Sequence, residues 1–254
     1  MQRAFTLLEL SVVVAIIFVL AALGLGVIGK MKTSAYQAKS TSNLRQLGLA
    51  TQLYLNENEY QFFNYRLDSP SGVTWWYGFE SAGSQGSGAG NRKVDKTRSP
   101  LYPYLNQVGG VEICPGFDYA SPHWQPRYSG ATHGYGYNVV LCAAPDAGGA
   151  TSGWSGKGVP FRMQNLSSHS KVPLFATCAQ IDPFQRGSTG GARKIEEFPG
   201  FDAREYVIHG RFGGRALALF VDGHTEAIAL DPKAIDPRQP SARIGRFPKT
   251  MIYK

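Results

Sequence analysis

Phe5-Thr6-Leu7-Leu8-Glu9-Leu10-Ser11-Val12-Val13-Val14-Ala15-Ile16-Ile17-Phe18-Val19-Leu20 is followed by small and apolar residues as far as Ile28. Between Phe5 and Ile28 only Thr6, Glu9 and Ser11 are polar. As a helix the run reaches about 36 Å, enough to span a hydrocarbon core. A basic start at Arg3 followed by an apolar run also fits a cleaved secretory signal or an ordinary signal anchor. Glu9 argues against both, because a carboxylate costs ~2.5–3.5 kcal/mol at mid-membrane, less near the edge, and such a residue usually has a partner.

The helix is expected to continue past the membrane. Leu44, Leu47, Thr51, Tyr54 and Leu55 recur at three- and four-residue spacing among Asn43, Arg45, Gln46 and Gln52, an amphipathic pattern that needs a surface to cover. It should stop near Asn56 to Asn58, where polar residues of poor helix propensity cluster. The expected organisation is a leader at 1–4, a transmembrane half-helix at 5–29, an amphipathic half at 30–58, and an extracytoplasmic head at 59–254. The fold class is α+β: a long N-terminal helix packed on a C-terminal antiparallel sheet.

Arg3, Ala4 and the string Phe5-Thr6-Leu7-Leu8-Glu9-Leu10 resemble the leader of the type IV prepilins and type II secretion pseudopilins. The resemblance implies a pilin-like fold, cleavage between Ala4 and Phe5 by a prepilin peptidase, and N-methylation of Phe5. It implies that Glu9 pairs with the new amino terminus of a neighbouring subunit. Two charges ~4 Å apart attract by a few kcal/mol at intermediate dielectric, which offsets part of the desolvation. Ala4 stands where the family has glycine, and Lys30 and Lys32 follow the span, so orientation rests on the leader more than on charge counting. The implied location is the inner membrane, single-pass, with a periplasmic or extracellular head that reaches the cell surface after assembly.

Beyond the helix, Gly83 to Gly90 reads as a surface loop, since no strand precedes it and no Gly-Lys-Ser/Thr closes it. Trp75, Trp76, Tyr77 and Phe79 read as core, within an irregular stretch from Asn64 to Gly110. Val139 to Cys142, Val172 to Thr177 and Arg215 to Val221 read as strands. Asp222-Gly223, between Ala216–Val221 and His224–Leu230, suggests a hairpin closed by a two-residue type I′ turn. Pro232, Pro237, Pro240 and Pro248 mark a basic tail expected to run over the surface.

Cys114, Cys142 and Cys178 allow one disulfide, for which Cys114 and Cys142 are the candidates, and no Cys-x-x-Cys pair supports zinc or iron-sulfur chemistry. The net charge of +8 favours anionic lipid, acidic polysaccharide or nucleic acid without choosing among them.

A second resemblance is to large pilin-like proteins with a C-terminal His, spacer, Asp-Gly signature. It is carried by Asn43 to Ala50, Pro103-Tyr104-Leu105, Cys114-Pro115, Gly134 to Asn138, and His209 with Phe220 to His224; the spacer before Asp222 is longer here. The major pseudopilins, which this chain resembles in architecture, hold calcium in a C-terminal loop. Asp182, Glu196, Glu197, Asp202 or Asp222 offer hard oxygen atoms here, but no EF-hand spacing exists, Asp222 is better explained by its turn, and no ligand set is assigned. No other metal and no catalytic residue is expected, because His123, His133, His169, His209 and His224 match no ligand run and no nucleophile elbow is present. The function expected is structural: a subunit that assembles with other pilin-like chains into a pilus or pseudopilus. The alternatives are a membrane-tethered binding module for polysaccharide, DNA or a secreted substrate, and a tethered hydrolase.

Overall fold

The structure is a computed structural model that describes residues 6–105, 110–142, 154, 159–182 and 193–254, without the side chains at 21–28 and 30. Mixed helix and sheet, with a long N-terminal helix and antiparallel pairing, is the architecture. Helix α1 (Leu7–Glu57) runs 51 residues without interruption and ends on Asn58, where the polar cluster was expected to stop it. Its two halves live in different surroundings. From Leu7 to Leu20 every large apolar side chain is 42–87% exposed, whereas Leu44, Leu47, Ala50, Thr51 and Leu55 are buried to within 1%. The expected span at 5–29 includes 21–28, whose side chains lie outside the description, and among the described residues no helix is long and apolar enough to cross a membrane.

The strands are β1 (Arg66–Ser69), β2 (Gly72–Trp75), β3 (Gly78–Ser81), β4 (Tyr135–Asn138), β5 (Pro173–Thr177), β6 (Ala179–Ile181), β7 (Ile195–Glu197), β8 (Gly200–Phe201), β9 (Ile208–His209), β10 (Arg215–Phe220), β11 (Thr225–Ala229) and β12 (Ile244–Gly245). The main sheet has the order β11-β10-β5-β4-β8, antiparallel except for the β4–β8 edge. A separate antiparallel meander, β1-β2-β3, occupies the stretch expected to be irregular. The short helix α2 (Ala82–Gln85), capped by Ser81, takes up the start of the glycine-rich loop.

Strand alternation divides the interior. Leu217, Leu219 and Val221 point into the larger core with α1 and the aromatics Trp75, Trp76 and Tyr77. Ala216, Ala218 and Phe220 point the other way, into a second core with Ile228, Leu230 and Phe247. The C-terminal tail closes that second core rather than running freely over the surface. It contributes β12, which pairs with β9, and Asn138 Nδ2 donates to the Tyr253 carbonyl at 3.0 Å.

Two expectations are corrected. Val139 to Cys142 is a 3₁₀ turn, and the strand is the preceding Tyr-Gly-Tyr-Asn of β4. Gly136 lies at the centre of that strand because a Cβ there would approach Cys178 Sγ to 2.6 Å. Cys114 and Cys142 form no disulfide: all three cysteines are free and buried. Each thiol has separate company, Cys114 Sγ with Ser40 Oγ at 3.2 Å and Cys142 Sγ accepting from the Tyr65 amide at 3.0 Å.

Helix and sheet meet at Gly48, where a Cβ would sit 3.2 Å from Leu219 Cδ2. One turn on, Gln52 Nε2 donates to the Val221 carbonyl at 2.9 Å. A branched side chain at Gly48 adds methyl groups where even a Cβ requires Leu219 to shift, and overpacking of this kind costs about 1–3 kcal/mol. Gly48→Val is therefore expected to lower the melting temperature of the detergent-solubilised chain by several degrees, while Leu49→Val, on the exposed face, leaves it close to the parent.

Candidate functional site

At the start of α1, Thr6 and Glu9 form a reciprocal cap. Glu9 N–H donates to Thr6 Oγ1 at 3.2 Å, and Thr6 N–H and Oγ1–H donate to Glu9 Oε2 at 2.9 and 2.8 Å. This satisfies two of the orphan donors at the helix end and is the Thr-x-x-Glu arrangement that starts many helices. Glu9 thus has an intrachain hydrogen-bonding partner, which its isolation among apolar residues concealed. It has no cationic one among the described residues. Ala4 and Phe5 lie outside the described residues.

The hairpin β10–β11 is present, with Leu219 opposite Thr225, but its turn is not type I′. Gly223 N–H donates to the Phe220 carbonyl at 2.9 Å, and Phe220 N–H donates to the His224 carbonyl at 2.9 Å. Gly223 has φ +92° and Asp222 has no positive φ, so the connection is a three-residue loop with glycine in the left-handed position. Asp222 Oδ1 accepts from the His224 amide at 3.2 Å and lies 2.6 Å from His224 Nδ1. The Asp222 carboxylate is thus held by the turn. His209 is far from this pattern in role: it lies in β9, half-buried with its ring edge-on to Phe117 and its buried Nδ1 unpartnered.

The acids suggested for calcium do not converge. Asp202 Oδ1 accepts from the Arg204 and Glu205 amides at 2.7 and 2.9 Å, and Glu196 faces Arg127 at 3.3 Å. Among the described residues no group of three or more His, Cys, Asp or Glu side chains is arranged to hold a metal ion. Nor does any described histidine ring share a hydrogen bond with a serine, threonine or cysteine side chain; the rings of His169 and His224 contact the Met163 carbonyl and Asp222.

Polar chemistry in the head is concentrated instead on two buried carboxylates, Glu80, which sequence reasoning did not single out, and Glu197, which it named only as a source of calcium ligands. Glu80 is fully buried and receives a two-pronged contact from Arg92, Nε to Oε1 at 2.6 Å and Nη2 to Oε2 at 2.7 Å. Tyr128 OH donates to Glu80 Oε2 at 3.1 Å, so the 2.8 Å Tyr77–Tyr128 contact has Tyr77 as donor. A buried charge needs such partners, and removing one costs about 3–5 kcal/mol. Glu197 accepts from Tyr119 OH at 2.7 Å, the Thr132 amide at 3.0 Å and the His133 amide at 3.2 Å. The signal for these sites is the fold itself, since each pair joins residues 12 to 78 positions apart.

No family model, curated protein or solved structure matches this chain.

Burial pushes the Glu197 carboxyl up to about 7, against the lowering effect of its hydrogen bonds and of Arg211. An exposed glutamate has a value of 4.5, so the folded chain keeps a proton the unfolded chain has already released. The contribution of Glu197 is therefore fully present below pH 4.5 and is lost as the pH rises to about 7. His133 and His209 act in the opposite sense, because burial holds both well below 6.5 and their contribution grows as the pH rises toward that value. Glu197→Gln keeps an acceptor for Tyr119 and the His133 amide and abolishes the titration, while introducing a pH-independent mismatch between its NH2 and the Thr132 amide. Between pH 5 and 8 the parent should lose stability relative to this variant by up to about 3 kcal/mol, read from paired melts. A difference that stays constant over that range means that Glu197 is ionised throughout.

Proposed function

We propose that this chain is a structural subunit of a type IV pilus-like or type II secretion pseudopilus-like filament, released from its leader by a prepilin peptidase and held in the inner membrane until it assembles. The observation that carries this reading is the division of α1. Its C-terminal half is docked into an α+β head, while the run from Leu7 to Leu20 has no cover among the described residues. Covering eleven large apolar side chains releases free energy on the order of 10 kcal/mol or more, enough to commit the segment first to lipid and then to other helices of the same kind. The head would stand on the outer side of the membrane, as the leader resemblance implies.

In this reading Glu9 has two tasks. Its carboxyl group caps the helix through Thr6, and its charge meets the amino terminus of Phe5 in the neighbouring subunit. The two separate by substitution, since glutamine serves as well as glutamate in such a cap but carries no charge. Glu9→Gln and Glu9→Val should both insert into the membrane at parental levels and both lose filament yield, by tenfold or more, in sheared preparations counted by electron microscopy. Normal filaments from Glu9→Gln with loss only in Glu9→Val would reduce Glu9 to a helix cap and remove the charge from assembly.

A further inference from the structure

A cavity of about 260 Å³ opens in the head where the end of α1 meets the β1-β2-β3 meander. Its walls include Tyr54, Asn64, Trp75, Arg98, Pro100 and Pro160, and no acidic side chain lines it. The volume is just below the ~300–1,000 Å³ of sites that enclose a whole small molecule, so the space suits one ring-sized unit of something larger. Three observations describe what that unit must offer. Tyr54, Pro100 and Pro160 contribute apolar ring atoms to the wall, whereas the Trp75 ring is covered by the Arg66 guanidinium and stacked with Tyr77 and adds only part of its surface. Arg98 is exposed, lies with its guanidinium 3.4 Å from the centre of the Phe79 ring, and pairs with no carboxylate among the described residues. The Asn64 amide has a buried Oδ1 that accepts no hydrogen bond.

We infer that this cavity is a binding site for one anionic sugar unit, a uronate, of an acidic polysaccharide. The C–H face of a pyranose packs on aromatic and proline rings, and its carboxylate forms a charge-assisted contact with the unpaired Arg98. A ring hydroxyl supplies the donor that Asn64 lacks once the amide turns toward it. An acidic peptide matches less well, because aspartate and glutamate side chains bring acceptors only and no flat face. The net charge of +8 draws a polyanion toward the head but does not by itself select one. This inference is independent of the filament reading, since it concerns the head alone.

The test uses the full chain in detergent micelles at physiological salt, with oligogalacturonate as the probe and binding followed by calorimetry. Its carboxyl-reduced neutral counterpart and poly-glutamate of equal charge serve as comparisons. Expected are binding of oligogalacturonate at least tenfold tighter than either comparison, and a loss of at least tenfold in Arg98→Gln. Asn64→Leu should weaken binding while its melting temperature is unchanged or raised, because it removes an unsatisfied buried polar atom. Absence of binding, equal binding of poly-glutamate, or affinity unchanged in both variants would overturn the assignment.

Discussion

The close approach of α1 to β10 governs this molecule. At Gly48 the helix backbone comes near enough to Leu219 that a single added carbon would touch it, and the Gln52 to Val221 hydrogen bond fixes the helix along the strand. From that contact the larger core is built, with Leu44, Leu47 and Leu55 from the helix meeting Leu217, Leu219 and Val221 from the sheet. The same contact fixes where the head ends on the helix. Leu7 to Leu20 lie outside the head, and among the described residues their large apolar side chains find no cover. A helix that is hydrophobic all round needs cover from outside itself, and among the described residues the head supplies none to Leu7–Leu20.

The head depends on a second constraint, the pairing of buried charge. Glu80 with Arg92, Glu196 with Arg127 and Asp236 with Arg238 each join an acid that is at most 5% exposed to an arginine nearer the surface. These pairs tie the irregular segments around 90 and 127 to strands β3 and β7, and they hold the long connections without disulfides. The free thiols fit the same picture. Burial pushes Cys142 and Cys178 up to about 12, so neither is a reactive thiolate at neutral pH.

Legibility in the sequence followed the regularity of each element. The amphipathic stripe of α1 and its end at Glu57 were readable because helical period and the Asn56–Asn58 cluster agree. The β10–β11 hairpin was readable from alternation and Asp222-Gly223, but its turn type was not, since that depends on the register of Leu219 against Thr225. The β1-β2-β3 meander was hidden because its strands are four residues each, broken by Pro70 and by glycines, with aromatics on neighbouring positions that obscure a period of two. Strand β4 was misplaced because the β-branched Val139 and Val140 outweigh Tyr-Gly-Tyr-Asn in propensity, whereas packing against Cys178 selects the glycine. The cavity beside Trp75 and the partners of the buried acids had no sequence signal, as both are assembled from segments separated in the chain.

The proposed filament role entails one chemical event, removal of the residues before Phe5 and methylation of the amine that Glu9 would meet. Intact-mass and N-terminal fragment analysis of the chain from native membranes measures it directly. Expected is a chain lacking Met1 to Ala4 with one methyl group on Phe5. A chain that retains the leader, or whose first residue lies beyond Gly24, would contradict the filament account.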